Sequence, residues 1–260
     1  MIRIKKEKPK YGWYVRDLII GFTIVGLIGL TAFIFGLIIQ GIFGIILLSA
    51  GITLTLTFLW PGLGITALNL TIGDEFFLDK RMEALYKTSS PQILDVGCGT
   101  GRTAIKIAKI LENGGHLTGI DIYERMAITG NSLDTVQRNA RIEGLEEKTT
   151  FQYGSATEIP FDDGTFDIVN VSSVLHEIHE PNGQEKALKE IYRVLKPSGY
   201  VYISEWNRTS LQTIAFLGIF CFVFKPYKYW QRLIEKHGFQ EITYKKFGGF
   251  GIFSARKILK

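Results

Sequence analysis

The residues best suited to chemistry lie around one glycine-rich turn in the middle of the chain. Gly97, Gly99 and Gly101 alternate directly after a short stretch, I-L-D-V at 93–96, that predicts a buried strand. Glycines at these positions let the backbone turn sharply and approach a ligand, and the helix predicted to follow points its amide-rich end into the same space. Asp121 ends a second predicted strand, twenty residues after Gly101. A carboxylate at that distance can bind the two hydroxyls of a ribose.

The glycine spacing also excludes one class of ligand. The dinucleotide fingerprint needs a glycine three residues after Gly99, and that position is Arg102. With Asp95 two residues before the first glycine, the segment resembles motif I of the class I S-adenosylmethionine-dependent methyltransferases. The resemblance implies S-adenosylmethionine as cofactor, with Asp95 near its methionine end. It also implies an α/β fold, a Rossmann-like doubly wound sheet of seven mostly parallel strands whose last strand is antiparallel. The alternative is a glycine turn that serves only strand-to-helix packing.

Four further stretches extend this resemblance over roughly residues 75–258. They are L-T-G-I-D-I-Y at 117–123, G-S-A-T and I-P-F within 154–161, F-D-I-V and V-L-H-E within 166–177, and E-I-Y-R-V-L-K-P-S-G at 190–199. Together they most resemble the small-molecule and lipid branch of the family, which includes quinone C-methyltransferases. Ser155 is a departure, because the family commonly has an aspartate there that holds the adenine amino group. The cofactor-binding residues that the resemblance implies are Asp95, Gly97, Cys98, Gly99, Gly101, Asp121, Ile122, Ser155 and Ala156.

Titratable side chains follow the fourth predicted strand. Methyl transfer from a sulfonium is an in-line displacement, so the enzyme must hold donor and acceptor close, aligned and dry, and it needs a base only when the acceptor must lose a proton. His176 and Glu177 lie at the carboxyl edge of the sheet and are the candidate catalytic residues. Two alternatives stay open: His176 packs beside the cofactor, or Glu177 attracts a cationic amine acceptor. Glu205 and Trp206 end the fifth strand at the same edge.

The sequence carries no pattern typical of a metal site or of nucleic-acid methylation. The four His and two Cys residues lack ligand spacing. The exit from the fourth strand reads S-S-V-L-H-E and lacks the Asn/Asp-Pro-Pro-aromatic sequence used by amino-methylating nucleic-acid enzymes. We therefore expect a site without a metal and a partner other than nucleic acid.

The first quarter of the chain is typical of a membrane anchor. No charged residue occurs from Leu18 to Gly73. Two apolar runs, at about 18–39 and 42–60, are each long enough to cross a bilayer as a helix, and Pro61 is expected to end the second. A cleaved signal peptide predicts a far shorter apolar core. A buried soluble hairpin is the other alternative, although neither helix shows an amphipathic face. Glycines that would let the two helices approach closely lie at 21, 26, 29, 36, 44 and 51.

Charge predicts the orientation of this anchor. Residues 1–17 carry six Lys/Arg against two acidic residues, so the positive-inside rule places this end in the cytoplasm, and two crossings return the chain there. We expect an N-terminal part, 1–73, in the cell membrane and a methyltransferase domain, 74–260, on its cytoplasmic side.

The methyltransferase domain is expected to contain an apolar insertion at 211–224. Its fourteen residues are too few to span a bilayer, and a basic-aromatic cluster, 225–232, follows. Either the insertion contacts the membrane, with the cluster among lipid head groups, or it is a core helix that caps the site.

Strands and helices alternate from residue 92 onward, which predicts a parallel sheet with helices on both faces.

Taken together, the motifs and the apolar runs predict a membrane-anchored S-adenosylmethionine-dependent methyltransferase whose partners are the lipid bilayer and a hydrophobic or lipid-linked methyl acceptor. The alternatives are a methyltransferase for a soluble small molecule and a membrane-tethered module that binds the cofactor without catalysis. The predicted strands are 93–96, 117–120, 149–153, 166–171, 200–205, 239–247 and 251–258, and the predicted helices are 103–112, 125–143 and 183–195.

Overall fold

A computed structural model describes residues 7–71, 82–111 and 114–258. They form a hairpin of apolar helices and an α/β domain built on one seven-stranded sheet. The hairpin begins with helix α1, Arg16–Ile38, and turns at 39–41 into helix α2, Ile42–Leu54. The expected boundary between the two parts, at 73/74, lies outside the described residues.

Glycines set the distance between the two hairpin helices. A Cβ added at Gly26 would lie 2.4 Å from Leu59 Cβ, and one added at Gly29 would lie 2.6 Å from Leu54 Cβ. Small residues at such positions let helix backbones approach closely. The expected role is therefore confirmed for these positions but not for Gly21, which faces open space. The other glycines packed closely in the hairpin are Gly36, Gly44 and Gly51.

The second apolar helix does not end at residue 60, as the sequence predicted. A π-helical turn, Thr55–Leu59, joins α2 to helix α3, Trp60–Thr71, so that the helical run continues through Pro61. Proline usually interrupts a helix because it lacks the N–H and its ring meets the carbonyl of the preceding turn. Here the turn before Pro61 is already wider, since the Trp60 N–H donates to the Thr55 carbonyl five residues back. A π turn of this kind gives the proline ring room.

Most apolar side chains of the hairpin face away from the domain. Ile38 and Phe43, near the tip, are 70% and 73% exposed. Both helical runs, Arg16–Ile38 and Ile42–Leu70, are long and apolar enough to cross a bilayer. The arrangement disfavours the alternative of a hairpin buried inside a soluble domain.

The sheet has the predicted doubly wound topology. Its strands are β1 Gln92–Val96, β2 His116–Asp121, β3 Thr149–Tyr153, β4 Phe166–Ser172, β5 Leu195–Trp206, β6 Gln240–Phe247 and β7 Phe250–Arg256. Their order is β3-β2-β1-β4-β5-β7-β6, and β7 alone runs antiparallel to its neighbours. The carboxyl ends of β1, β2, β4 and β5 therefore meet at one edge.

Helices pack on both faces of the sheet, and one is shorter than predicted. The helix expected over 125–143 begins only at Leu133, after Ser132, whose hydroxyl accepts the Thr135 N–H at 3.1 Å and caps it. Residues 127–129 pair instead with the N-terminal segment, since the Thr129 N–H donates to the Trp13 carbonyl at 2.9 Å. The domain helices are α4 Glu83–Lys87, α5 Arg102–Ile110, α6 Leu133–Ile142, α7 Gly183–Val194, α8 Leu211–Leu217 and α9 Tyr227–Lys236.

The apolar insertion packs on the hairpin rather than in the core of the sheet. After α8 the chain forms a 3₁₀ turn, Gly218–Val223, so the insertion is not one continuous helix. Trp60 Nε1 donates to the Ala215 carbonyl at 2.6 Å, and the ring centroids of Phe22 and Phe220 are 4.6 Å apart. The insertion thus extends the apolar surface of the hairpin. Its exposed apolar side chains are Leu211, Ile214, Ile219, Phe222 and Val223.

The aromatic residues after the insertion belong to the domain, not to a surface cluster. Trp230 in α9 is buried in the core, and Tyr227 stacks on Tyr244 with ring centroids 4.5 Å apart. Helical periodicity turns this face of α9 inward, so the alternative that places these rings among lipid head groups is wrong for Trp230. The exposed cations of the cluster are Lys225, Lys228 and Arg232.

We expect Gly26→Ala to destabilise the hairpin and Gly21→Ala to leave it unchanged. The methyl group at position 26 would overlap Leu59, and overpacking of this kind costs about 1–3 kcal/mol. Thermal unfolding of the full chain in detergent micelles measures the effect. Equal melting temperatures for the two variants would contradict a packing distance set by glycine.

Candidate active site

The glycine turn between β1 and α5 has the backbone conformation that its sequence predicts. Gly97, Gly99 and Gly101 have φ angles of 72°, 53° and 86°. L side chains rarely occupy this region. A Cβ at Gly97 would also lie 2.2 Å from Val174 Cγ2, in the loop after β4. Glycine therefore lets the loops after β1 and β4 approach each other at the edge of the sheet.

The carboxylate of Asp121 is held against this turn. Its Oδ2 accepts the Gly99 N–H at 2.8 Å, and its Oδ1 accepts the Tyr123 N–H at 2.5 Å and the Asn131 amide at 3.4 Å. Since β2 pairs in parallel with β1, the two strand ends lie side by side. Asp121 is thus placed beside the turn, as a ribose contact would require.

Asp95 has one carboxylate oxygen without a partner. The residue is 2% exposed, and its Oδ1 accepts a hydrogen bond from Asn170 at 2.7 Å. Its Oδ2 is buried and has no hydrogen-bond partner among the described residues. The pKa of Asp95 is raised to about 7, because burial and the charge of Asp121 together outweigh the Asn170 hydrogen bond, which lowers it. A cationic group next to Oδ2 would compensate this desolvated carboxylate.

His176 lies between two carboxylates. Its Nδ1 is 2.7 Å from Glu205 Oε2, and its Nε2 is 3.1 Å from Glu177 Oε1. The other oxygen of Glu205 accepts the backbone N–H groups of Val174 and Leu175 at 3.0 and 2.7 Å. The fully buried Glu205 therefore fixes both the loop after β4 and the imidazole. The sequence placed Glu205 at this edge but did not show that it pairs with a histidine 29 positions away.

These carboxylates decide the charge of His176. Burial alone would lower its pKa, but Glu205 and Glu177 outweigh burial and raise it to about 9. His176 is therefore an imidazolium at neutral pH, and both of its N–H groups are donated. The contact with His176 lowers the pKa of Glu177, whose side chain is 51% exposed. In this arrangement His176 has no free acceptor, and the group that can accept a hydrogen bond or a proton from a bound molecule is the exposed carboxylate of Glu177.

One cavity of about 720 Å³ brings most of the predicted site residues together. His176 and Glu177 line it, and so do seven of the nine residues implied as cofactor contacts. Gly99 and Gly101 do not line the cavity, and their positive φ angles set the backbone conformation of the turn. The seven are Asp95, Gly97, Cys98, Asp121, Ile122, Ser155 and Ala156.

The far wall of the cavity is apolar and comes from outside the predicted site. Leu18 and Phe22 of α1 and Ile65 and Leu68 of α3 line it. The sequence indicated two apolar helices but not that they face the glycine turn, because they precede it by dozens of residues. The cavity is thus polar at the turn and apolar at the hairpin. The insertion adds Leu217, Phe220, Val223 and Phe224 to this wall.

Ser155 and Cys98 make only local contacts. The Ser155 hydroxyl accepts the Thr157 N–H at 3.2 Å and lies 3.0 Å from Thr157 Oγ1, so it stabilises its own loop. Cys98 Sγ lies 3.7 Å from the Tyr123 hydroxyl, and burial raises the pKa of the thiol. Cys98 therefore acts as a small neutral packing residue in the turn.

We expect Glu205→Gln to lower the pKa of His176 from about 9 toward or below 6.5. Glutamine keeps the oxygen that accepts the Val174 and Leu175 N–H groups, but it removes the charge that offsets burial. Titration of the histidine side-chain nitrogens by nuclear magnetic resonance measures this pKa, and the chain has only four His residues to assign.

His116 is the internal control, because it begins β2 and therefore lies at the opposite edge of the sheet from this pair. The raised pKa of His176 also stabilises the folded chain, with a contribution that is complete below about pH 6.5 and lost as the pH rises through about 9. Glu205→Gln should remove this dependence. An unaltered His176 titration would contradict the assigned role of Glu205.

Comparison with known proteins agrees with this geometry. Residues 94–203 match the family described as methyltransferase domain. The demethylmenaquinone methyltransferase of Lactobacillus johnsonii is 36% identical over 115 residues, which cover 44% of this chain and 43% of that protein. The ubiquinone/menaquinone biosynthesis C-methyltransferase UbiE of Vibrio parahaemolyticus is 31% identical over 124 residues, which cover 48% of this chain and 44% of that protein. The chain spans about two fifths of the length of the first curated relatives that it matches.

A solved structure supports the same fold. The S-adenosylmethionine-dependent methyltransferase from Aquifex aeolicus matches with a TM-score of 0.58 at 20% identity, covering 75% of this chain and 98% of that chain. At this identity the likeness concerns the fold alone. The family match, the seven-stranded sheet and the glycine turn with its two carboxylates agree. Residues 94–203 are therefore a methyltransferase domain with the class I fold, and the cofactor that this match and the fold support is S-adenosylmethionine.

Proposed function

We propose that this protein is a membrane-anchored methyltransferase that transfers a methyl group from S-adenosylmethionine to a hydrophobic or lipid-linked acceptor. The observation that carries the proposal is the single cavity that runs from the glycine turn to apolar side chains of α1 and α3. A cofactor at the turn and an apolar acceptor against the helices would meet in one space.

The residues at the turn fit S-adenosylmethionine. This cofactor supplies a methyl group on a positively charged sulfur, and its methionine end carries an ammonium group. The unpartnered, buried Oδ2 of Asp95 suits that ammonium. Asp121, held against Gly99, suits the ribose hydroxyls. These two carboxylates would orient the cofactor from both ends of the turn.

The adenine would lie along the loop after β3. Ile122, whose side chain is 57% exposed, presents an apolar surface for one face of the ring. Because the Ser155 hydroxyl is engaged with Thr157, it is a poor substitute for the aspartate common in the family. We therefore assign the adenine contacts mainly to Ile122 and to the backbone of Ala156.

Glu177 and His176 would serve the acceptor. An acceptor hydroxyl that must lose its proton would pass it to the exposed carboxylate of Glu177. Its oxygen or the adjacent carbon would then bond to the methyl carbon while the sulfur–methyl bond breaks and the sulfur leaves as a neutral thioether. His176 would hold Glu177 in position through the 3.1 Å contact. The same carboxylate would attract an amine acceptor. Among the described residues, no three His, Cys, Asp or Glu side chains are grouped to hold a metal ion.

The acceptor would carry an apolar tail. Phe22, Ile65 and Phe220 line the cavity on the side of the hairpin. Each methylene group buried there contributes about 0.8 kcal/mol to binding. The relatives above are named for demethylmenaquinone and for ubiquinone/menaquinone biosynthesis, and we propose an acceptor of that general kind. The basic N-terminal residues and the positive-inside rule support a domain on the cytoplasmic side of the membrane.

We expect the affinity for S-adenosylmethionine to fall as the pH drops below 7. Asp95 must be ionised to bind the ammonium group, but its pKa without cofactor is about 7, so protons compete with the cofactor. Affinity should fall about tenfold per pH unit in this range, with uptake of the cofactor releasing a proton. Isothermal titration calorimetry in buffers of different ionisation enthalpy measures both effects.

Asp95→Asn is the matched control, because asparagine has the shape of the carboxyl group without its charge. It should bind the cofactor weakly at every pH and show no such pH dependence. A wild-type affinity that stays constant from pH 8 to pH 5.5 would reject this role for Asp95.

The function itself is tested by labelled transfer. The full-length protein, with S-adenosylmethionine labelled in its methyl group, should label an organic-soluble product in a lipid extract of native membranes. Label found only in water-soluble products would favour a soluble acceptor. Cofactor binding without any transfer would favour a non-catalytic module.

Once the labelled acceptor is identified, substitutions at two phenylalanines of the insertion distinguish contact with the membrane from a role in the cavity wall. Phe222 is 69% exposed, whereas Phe220 lines the cavity. Phe222→Ser should lower turnover of the lipid in vesicles about tenfold, since an exposed phenylalanine adds roughly 1.5–3 kcal/mol of apolar contact with lipid. It should spare a water-soluble short-chain acceptor. Phe220→Ser should lower both. Equal loss on both acceptors in Phe222→Ser would contradict membrane contact by the insertion.

A further inference from the structure

The N-terminal segment 10–15, which precedes the first apolar helix, lies directly on the glycine turn. Thr100 Oγ1 donates to the Tyr11 carbonyl at 2.8 Å. The Asn139 side chain accepts the Lys10 N–H at 2.9 Å and donates to the Lys10 carbonyl at 2.8 Å. These bonds join segment 10–15 to the glycine turn and to α6, although the matched family region begins only at residue 94.

The other side of segment 10–15 packs against the loop before α6. The Val15 N–H donates to the Ala127 carbonyl at 2.9 Å. A Cβ at Gly12 would lie 2.1 Å from the Thr129 carbonyl oxygen, so only glycine allows this approach. The segment is therefore fixed from both sides and forms part of the wall around the cofactor site.

Arg102 is held by this segment and keeps an unused donor. An Nη of its guanidinium donates to the Gly12 carbonyl at 3.1 Å. The guanidinium carbon lies 5.5 Å from the centroid of the Tyr11 ring and 5.6 Å from that of Tyr14, which is within cation–π range. Its Nε is buried and has no hydrogen-bond partner among the described residues. A guanidinium has five N–H donors, and a buried one without an anion is costly.

Arg102 is also the only Lys or Arg side chain among the described residues that line the cavity. The remaining charged lining is dominated by carboxylates, so the cavity offers one strong site for an anion. The carboxylates are Asp95, Asp121, Glu124, Glu177 and Glu180.

Arg102 and the carboxylate assigned to the ammonium group line the same cavity, together with Tyr14. Burial raises the pKa of the Tyr14 hydroxyl, the charge of Arg102 lowers it, and the charge of Asp95 raises it, so both charges act on one phenol. A cavity that offers both a cation and an anion suits a zwitterion, such as the amino-acid end of S-adenosylmethionine.

We propose that Arg102, positioned by Tyr11, Gly12 and Tyr14, binds the carboxylate of the methionine moiety of S-adenosylmethionine. The inference rests on the proposed cofactor site and extends it to residues before the methyltransferase domain. Arginine matches a carboxylate with two parallel N–H···O bonds, and the partnerless Nε is one of the donors available for such a pair. The membrane-proximal segment thereby becomes part of the cofactor site.

The test compares two ligands that differ only in the carboxylate. The full-length protein in lipid nanodiscs is titrated at pH 8, where Asp95 is ionised, with S-adenosylmethionine and with its decarboxylated analogue. Wild type should prefer S-adenosylmethionine by about 10- to 100-fold, as expected for charge-assisted hydrogen bonds. Arg102→Met should lower that preference to less than about threefold, mainly by weakening S-adenosylmethionine.

Three further variants control for folding and position. Arg141→Met, at an exposed arginine paired with Glu146, should leave both affinities unchanged. Arg102→Lys keeps the charge but not the planar fork, so it should retain part of the preference. Tyr14→Leu should lower the preference several-fold by releasing the guanidinium. The melting temperature without ligand reports whether each variant is folded.

The outcomes separate this inference from the proposed function. If Arg102→Met weakens both ligands by the same factor, or neither, Arg102 does not bind the carboxylate and the inference is wrong. If wild type binds S-adenosylmethionine no better than its decarboxylated analogue, the inference is also wrong, while the proposed function stands. If wild type binds neither ligand, the proposed function fails first.

Discussion

A carboxylate removed from water must be given hydrogen-bond donors or a cation, and this constraint shapes the carboxyl edge of the sheet. Glu205 satisfies it internally, with two backbone N–H groups and the His176 imidazolium. Asp95 satisfies it on one oxygen through Asn170, and its other oxygen has no hydrogen-bond partner in the part of the chain that the structure describes. The first carboxylate therefore stabilises the loop after β4, whereas the second has a free oxygen for a cationic ligand. Two buried acids, one in β1 and the other in β5, thus differ in role because their neighbours differ.

The apolar half of the site depends on how closely the helices of the hairpin pack. Glycines bring α1 close to the second helical run, and the π turn lets that run continue past Pro61 toward the domain. This brings Ile65 and Leu68 of α3 over the same space that the glycine turn faces. The beginning of α1 and the helix α3 therefore form a wall of the cavity. Cofactor chemistry and an apolar acceptor can share the cavity because one side is polar and the other is not.

Segment 10–15 links these two halves. It leads directly into α1 and, through Thr100 and Arg102, contacts the glycine turn. Any shift of the hairpin relative to the domain would move the groups that hold the Arg102 guanidinium. The position that a dinucleotide-binding turn reserves for glycine is occupied here by Arg102, whose side chain lines the cavity.

The sequence by itself determined the features that depend on neighbouring residues. The alternation of strands and helices, the glycine turn, the carboxylates Asp95 and Asp121 beside it and the two apolar runs all follow from local pattern, and the structure has them. Local pattern was also sufficient for the sheet topology once the family resemblance was recognised. Seven of nine implied cofactor residues line one cavity because strand ends in a parallel sheet meet at one edge.

Only the tertiary structure decided what depends on residues far apart in the chain. The helix expected over 125–143 is shortened because residues 127–129 pair with the N-terminal segment more than a hundred positions away. His176 is an imidazolium rather than a free base because Glu205, on another strand, is buried against it. Arg102 faces the cavity between two tyrosines from the start of the chain. Charge state and burial are set by three-dimensional neighbours, and a linear pattern specifies residue types without specifying those neighbours.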